Sequence, residues 1–289
     1  MQNLMIPTKE MLIEKYQLYP IKKYGSIATI TDYAILNGGY STKQNEGTYF
    51  LNNIESQGEY RPYFVSYLDE TGKIKSTYCP KGVGIRPVLN FSPLKDEVQI
   101  VDETAKMLIG YFGTFLQDAP SKELQNELTN AFIINDLRLS TKRKEEVRNI
   151  LNIKTPVKTD LSYIRNRNSY ESFTEEKLNV YQYKNKSYAK VTANTLYSKD
   201  DNFTLSNKEN YKNGDSIWIE EKKVKWFIDL EKDLMISEKI IQAGIKFSTS
   251  ELFYNNACFE ETDFYKYLSK YMTDELVTTN KILIKNKSL

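Results

Sequence analysis

The chain of 289 residues is 40% hydrophobic and 27% charged, a globular balance with room for one large domain or two ordinary ones. Forty basic against 38 acidic side chains leave a net charge of +2, too weak a field to draw the protein onto nucleic acid. There is no histidine, which removes Ser-His-Asp and Cys-His catalysis, histidine-containing zinc sites and any histidine pH switch.

In chain order, Thr8 after Pro7 predicts a helix cap, with Met11, Leu12 and Tyr16 on one face. A second short helix is expected from Thr31 to Leu36, begun by Thr31 or Asp32 and ended by Gly38-Gly39. From Thr48 to Asn90 the pattern changes to strands. Residues 63–68 and 74–78, joined by Asp69-Glu70-Thr71-Gly72-Lys73, read as a β-hairpin, and Ile85–Leu89 reads as a further, central strand. Ser121 caps a predicted helix with Leu124, Leu128 and Phe132 in one stripe. Thr141 caps another that carries Val147, Ile150 and Leu151, and its Lys142-Arg143-Lys144 reads as a solvated face. After Pro156 the chain returns to β, with a hairpin turn at Asn185-Lys186 and a second strand pair at 217–219 and 224–228. A last helix is expected around Phe264, Tyr267, Leu268 and Tyr271, capped by Thr262 or Asp263.

No phosphate loop, dinucleotide fingerprint or metal-ligand cluster is present, so neither a cofactor nor a metal is expected. The glycines at 38–39, 82 and 84 read as turn residues. Cys79 and Cys258 cannot form a four-ligand site, and a single disulfide between them stays open. Residues 1–7 lack the basic segment and apolar core of a secretion signal, and no apolar run reaches the ~18 residues needed to span a bilayer. The 22 tyrosines, with 13 Phe and 2 Trp, suit a binding surface. A coding bias that also enriches Lys, Asn and Ile explains the total more simply, so local placement has to decide.

The segments Ile6-Pro7-Thr8-Lys9-Glu10 and Lys23 to Tyr40, the latter ending Asn37-Gly38-Gly39-Tyr40, resemble an uncharacterised family of bacterial and phage proteins classed as a domain of unknown function. Gly84-Ile85-Arg86-Pro87-Val88-Leu89 is similar to that family's closing strand. Lys212–Ile219, Val224–Asp229, Ile236–Lys239 and Ala243-Gly244-Ile245 continue the resemblance in order. It implies an α+β fold related to the C-type-lectin-like and formylglycine-generating-enzyme folds. The implied division is a lectin-like lobe at 1–95 with the Gly-x-Arg-Pro strand, a helical connector at 96–154, and a β-rich lobe at 155–289 with a C-terminal helix.

Several relatives look like variable proteins of diversity-generating retroelements, with hypervariable residues just before the Gly-x-Arg-Pro strand. By that resemblance the ligand- or partner-binding surface is Tyr49, Asn52, Asn53, Tyr60, Tyr63, Tyr67 and Tyr78, a composition like that of an antibody combining site. Arg86 is expected to be a buried, hydrogen-bonded structural residue, and Trp218 and Trp226 to be core anchors. The expected function is non-enzymatic recognition of a protein or glycan surface through aromatic and Asn side chains. Alternatives are a phage virion component, for capsid decoration or host attachment, and a carboxylate-dependent hydrolase. The expected setting is the cytoplasm or a phage particle, without nucleic acid or a membrane span, with a homo-oligomer or virion assembly left open.

Overall fold

A computed structural model describes residues 4–13, 15–55, 64–77, 82–168, 173–194, 202–245, 262–273 and 275–276. The helix expected from Thr8 is absent among the described residues. The segment turns instead, with Thr8 Oγ1 accepting from Met11 N and Leu18 N reaching back to Met11 O. Helix α1 (Tyr19–Tyr24) starts where Pro20 fills the first turn and owes no N–H. After β1 (Ala28–Thr29) comes α2 (Asp32–Leu36), capped by Thr31, whose hydroxyl accepts from Ala34 N at 3.2 Å.

Strands β2 (Glu46–Glu55), β3 (Phe64–Leu68) and β4 (Ile74–Thr77) follow. The β3–β4 turn is tied by Asp69, whose Oδ1 accepts from Thr71 N, Thr71 Oγ1 and Lys73 N at 2.7–2.9 Å. The single strand expected at 85–89 is corrected to two, β5 (Val83–Ile85) and β6 (Val88–Asn90), which belong to different sheets. Pro87 has no N–H to give to a ladder, and the chain changes sheets there.

Residues 96–118, expected in a helical connector, contain β7 (Gln99–Glu103) and β8 (Met107–Asp118). Strand β8 is apolar in near-continuous fashion and buried on both faces, a pattern that periodicity alone does not separate from helix. Helix α3 (Lys122–Asp136) has Ser121 as its cap, and α4 (Thr141–Leu151) is capped by Ser140, one residue earlier than expected.

The next strands are β9 (Val157–Asn168), β10 (Phe173–Tyr183) and β11 (Lys186–Thr192). The β10–β11 turn is Lys184-Asn185, both at positive φ, the type I′ geometry that matches strand twist. A small hairpin, β12 (Asn202–Thr204) and β13 (Asn210–Lys212), precedes β14 (Ser216–Asp229). The expected pair at 217–219 and 224–228 is thus one long strand. No Gly or Pro interrupts residues 220–223, and β8 pairs alongside from Glu220 to Asp229. Strands β15 (Leu234–Ser237) and β16 (Gln242–Ala243) and helix α5 (Asp263–Tyr267), capped by Thr262, complete the described chain.

The architecture is α+β, mostly sheet. One six-stranded sheet runs β16-β5-β2-β3-β4 with β1 added on β2, and among the described strand pairs in it only β2–β5 is parallel. An eight-stranded sheet runs β6-β15-β14-β11-β10-β9, with β8 on the other edge of β14 and β7 outside it. The larger sheet takes strands from all three expected segments, so the boundaries near 95 and 155 do not separate the sheets. One apolar core runs from Leu4 to Leu276 and includes Trp226. A second, smaller core packs Leu128, Ala131 and Ile134 of α3 against Trp218, Tyr183 and Tyr188.

Two bulges in the β8–β14 ladder re-aim its groups. At one of them Gly113 adopts φ +65°, and a Cβ there would stand 2.5 Å from Leu276 O. The neighbouring carbonyl of Phe112 accepts the indole N–H of fully buried Trp226 at 2.9 Å. Past the end of β8, the Gln125 amide takes over the free edge of β14, accepting from Trp218 N and donating to Trp218 O.

The two sheets meet where the chain crosses between them twice, at 85–88 and at 237–242. Ser237 N donates to Pro87 O, and Ile241 N donates to Ile85 O, each at 3.0 Å. Arg86, 2% exposed, clamps the crossing: Nε donates to Ser237 O at 3.0 Å and Nη1 to Ser26 O at 3.1 Å and Tyr49 Oη at 3.3 Å. Its guanidinium carbon lies 5.4 Å from the centre of the Tyr49 ring. Arg86→Met keeps the apolar stem but removes these donors, and is expected to cost about 3 kcal/mol in urea unfolding. A loss below about 1 kcal/mol would show that the crossing does not need the clamp.

Candidate functional site

The surface expected at 49–78 is only partly described, since Tyr60, Tyr63 and Tyr78, like Cys79 and Cys258, lie outside the described residues. Tyr49 is a correction to that surface, because it is fully buried and donates from its hydroxyl to Ser26 O at 2.7 Å. The reason is that β2 is a central strand covered on both faces. Tyr49 packs over Arg86, while the next residue, Phe50, meets Phe264 edge-to-face at 4.8 Å. Asn52 and Asn53 are half-buried beneath the N-terminal segment: Asn52 N donates to Pro7 O and Asn53 Oδ1 accepts from Lys9 N, both at 2.8 Å. Tyr67 is half-buried, packed on the main core and paired with Phe50 and Lys75 across the sheet. The described members therefore do not gather into one exposed aromatic cluster.

A different place gathers polar chemistry. The chain turns between α2 and β2 through residues 40–45, and side chains make this turn rigid. Asn45, at φ +63°, donates from Nδ2 to Ile30 O at 3.0 Å and accepts from Ser41 Oγ. Thr42 Oγ1 accepts from Gln44 N and Glu46 N, both at 3.2 Å. Facing this turn is the β12–β13 hairpin, held by stacking of Phe203 on Tyr211, an ion pair from Lys122 to Glu209, and the Asn207 amide donating to Pro120 O at 2.9 Å. Between them lies a cavity of about 340 Å3 over the apolar floor of Ile35, Gly39 and Leu205.

Five hydroxyls, two carboxamides and two lysines line this cavity, with Phe203 as an aromatic wall. No carboxylate and no cysteine is among its described lining residues. Lys43 and Lys208, one from each wall, make no ion pair among the described residues. Such a lining donates and accepts hydrogen bonds and favours negative charge, but it offers no acid–base pair.

Behind the cavity, Asp32 fixes the hairpin. It is fully buried at the start of α2, and its carboxylate accepts from Ser206 N at 2.9 Å, Ser206 Oγ at 2.5 Å and Ala119 N at 2.7 Å. Burial pushes its pKa above the ordinary range, opposed by these donors. Three engaged donors make Asp32 an anchor between α2, the end of β8 and the hairpin. Sequence reasoning met Asp32 only as one option for a helix start. Its partner Ser206 lies 174 residues away, and no local signal joins them.

Among the described residues no group of His, Cys, Asp and Glu side chains is placed to hold a metal, and no helix is long and apolar enough to cross a membrane. No protein-family model matches the chain, and no curated protein or solved structure matches it either.

The Asp32 anchor has a pH signature. Because its pKa is raised in the fold, the native chain holds the proton more readily than the unfolded chain, whose carboxyl titrates near 3.8. Its contribution is therefore greatest below that value and declines as pH rises through the raised one. Relative to Asp32→Asn, which does not titrate, the wild type should lose stability in denaturant titrations as the pH rises from the unfolded value near 3.8 through the raised one. A difference that grows with pH would mean that the three donors outweigh burial.

Proposed function

We propose that the protein is a non-enzymatic recognition module of C-type-lectin-like descent, and that it binds a glycan in the polar cleft between residues 40–45 and 202–208. The observation that carries this reading is the lining of that cleft: hydroxyls, carboxamides and lysines around an aromatic wall, with no carboxylate among them. Sugar hydroxyls need donors and acceptors at fixed positions, and the internal bonds of the turn at 40–45 hold that wall in place before the ligand arrives. A volume of about 340 Å3 lies at the small end of ligand pockets and suits one monosaccharide unit of a longer chain.

The ordered resemblance from Ile6 to Ile245 supports membership of the bacterial and phage family, and the α+β architecture is compatible with its lectin-like core. In that setting a phage-particle role in host attachment would use the same cleft. A hydrolase gains less support, because the buried carboxylate nearest the cleft, Asp32, is fully engaged by backbone and Ser206 donors.

A glycan array probed with three proteins tests the reading. The wild type should retain a subset of glycans, and Asn202→Ala combined with Thr204→Ala should lose them with little change in melting temperature, because both residues are exposed. Tyr67→Ser, on the β3 face, should keep them. Loss of binding in Tyr67→Ser with the cleft variant unaffected would move recognition to the β2–β4 surface.

A further inference from the structure

Resting on the glycan reading of the cleft, we infer that its ligand is an acidic sugar, a hydroxylated ring that carries a carboxylate. Charge is the first reason. Lys43 and Lys208 both line the cavity, come from segments far apart in the chain, and have no carboxylate partner among the described residues. Lys122, Lys186, Lys222 and Lys225 each have a carboxylate within ion-pair distance, whereas Lys43 and Lys208 have none among the described residues and the lining of the cavity offers none. Two exposed ammonium groups beside one cleft whose lining holds no carboxylate give it a positive field that favours an anionic ligand.

Backbone conformation is the second reason. Lys208 sits at φ +67°, in the left-handed region, at the corner of the turn in which Lys208 N donates to Leu205 O at 2.9 Å. Glycine or asparagine takes this conformation at lower cost, and the described hydrogen bonds of the turn come from Ser206, Asn207 and the backbone and not from the Lys208 side chain. Lys184 takes the same left-handed conformation in the β10–β11 turn, and its ammonium pairs with Glu127; at Lys208, beside the cavity, no described carboxylate takes that place, and an anionic ligand would. The hydroxyls of Ser41, Thr204 and Ser206, whose protons are given to Asn45, Asn210 and Asp32, are left to accept from the ring, the carboxamide of Asn202 both donates and accepts, and Phe203 offers an apolar face to its C–H groups.

Lys208→Gly separates this role from a structural one, because it relaxes the backbone while it removes the charge. Titration calorimetry of the full chain with glucuronic acid, glucose and inorganic phosphate should rank glucuronic acid first. Lys208→Gly and Lys43→Ala should each weaken glucuronic acid by about tenfold or more and leave glucose within about twofold. The melting temperature of Lys208→Gly should be unchanged or higher. Raising the salt should weaken glucuronic acid and not glucose. Equal binding of glucose and glucuronic acid, unaffected by either variant, would overturn the acidic-sugar inference and leave the glycan reading standing. Phosphate binding as tightly as glucuronic acid would overturn it in favour of a simple anion site. If the wild type binds neither sugar nor phosphate, while the array of intact glycans is also blank, the glycan reading itself fails. A fall in the melting temperature of Lys208→Gly would show that the lysine is there for the turn.

Discussion

The buried guanidinium of Arg86 is the point on which the two sheets depend. At Arg86-Pro87 the chain leaves the six-stranded sheet for the eight-stranded one, and near Ser237 it comes back beside its own outward path. Two crossing strands bury carbonyls that no ladder can satisfy, and an unpaired buried carbonyl costs about as much as a lost hydrogen bond. One planar group with several donors resolves this by reaching Ser237 O, Ser26 O and the Tyr49 hydroxyl at once. Lysine, a single point charge, does not span three acceptors in that geometry. Gly84 serves the same crossing, since a Cβ there would stand 2.3 Å from Ile240 Cγ2.

Helix α2 carries this order to the cleft. Although it has only five residues, its ends hold the large sheet, the small sheet and the hairpin together. At its start Asp32 binds Ala119 and Ser206. At its C-terminal end Asn37 donates to Gln242 Oε1 at 3.0 Å and accepts from buried Arg165, which is itself paired with Glu176. Buried polar groups of this kind are costly unless each is satisfied, and when satisfied they permit few alternative packings. The cleft therefore has one wall grown from α2 itself and the other pinned to it, which pre-organises the site without any metal or disulfide among the described residues.

Edge protection follows the same use of side chains in place of backbone. Strand β9 ends the large sheet, and there Glu275 accepts from Ile164 N at 2.7 Å while the Tyr267 hydroxyl donates to Ile164 O at 2.9 Å. These contacts hold the described C-terminal segment on the edge, which would otherwise expose ladder groups to another chain. Strand β7, another outer strand, is exposed along its length and is interrupted by a bulge between Ile100 and Asp102.

Local chemistry in the sequence determined the helices at 32–36, 122–136 and 263–267, whose caps Thr31, Ser121 and Thr262 satisfy first-turn N–H groups wherever the helix docks. It determined the 64–77 hairpin through Gly72, and the inward face of Val224, Trp226 and Ile228 through alternation. The buried arginine before Pro87 was likewise readable as a residue type. Tertiary structure alone decided that Arg86 stands between two sheets, that β8 is a strand, that 216–229 is unbroken, and that Tyr49 faces inward. Each of these turns on which strand lies alongside or above, and a strand's own residues do not encode that. The cleft is the extreme case: its walls, Ser41 to Asn45 and Asn202 to Lys208, are more than 150 residues apart, and Asp32 meets Ser206 across a separation of 174. Sequence periodicity reports a residue's own face, whereas a site assembled by long-range burial and hydrogen bonding exists only once both ends of the chain have been brought together.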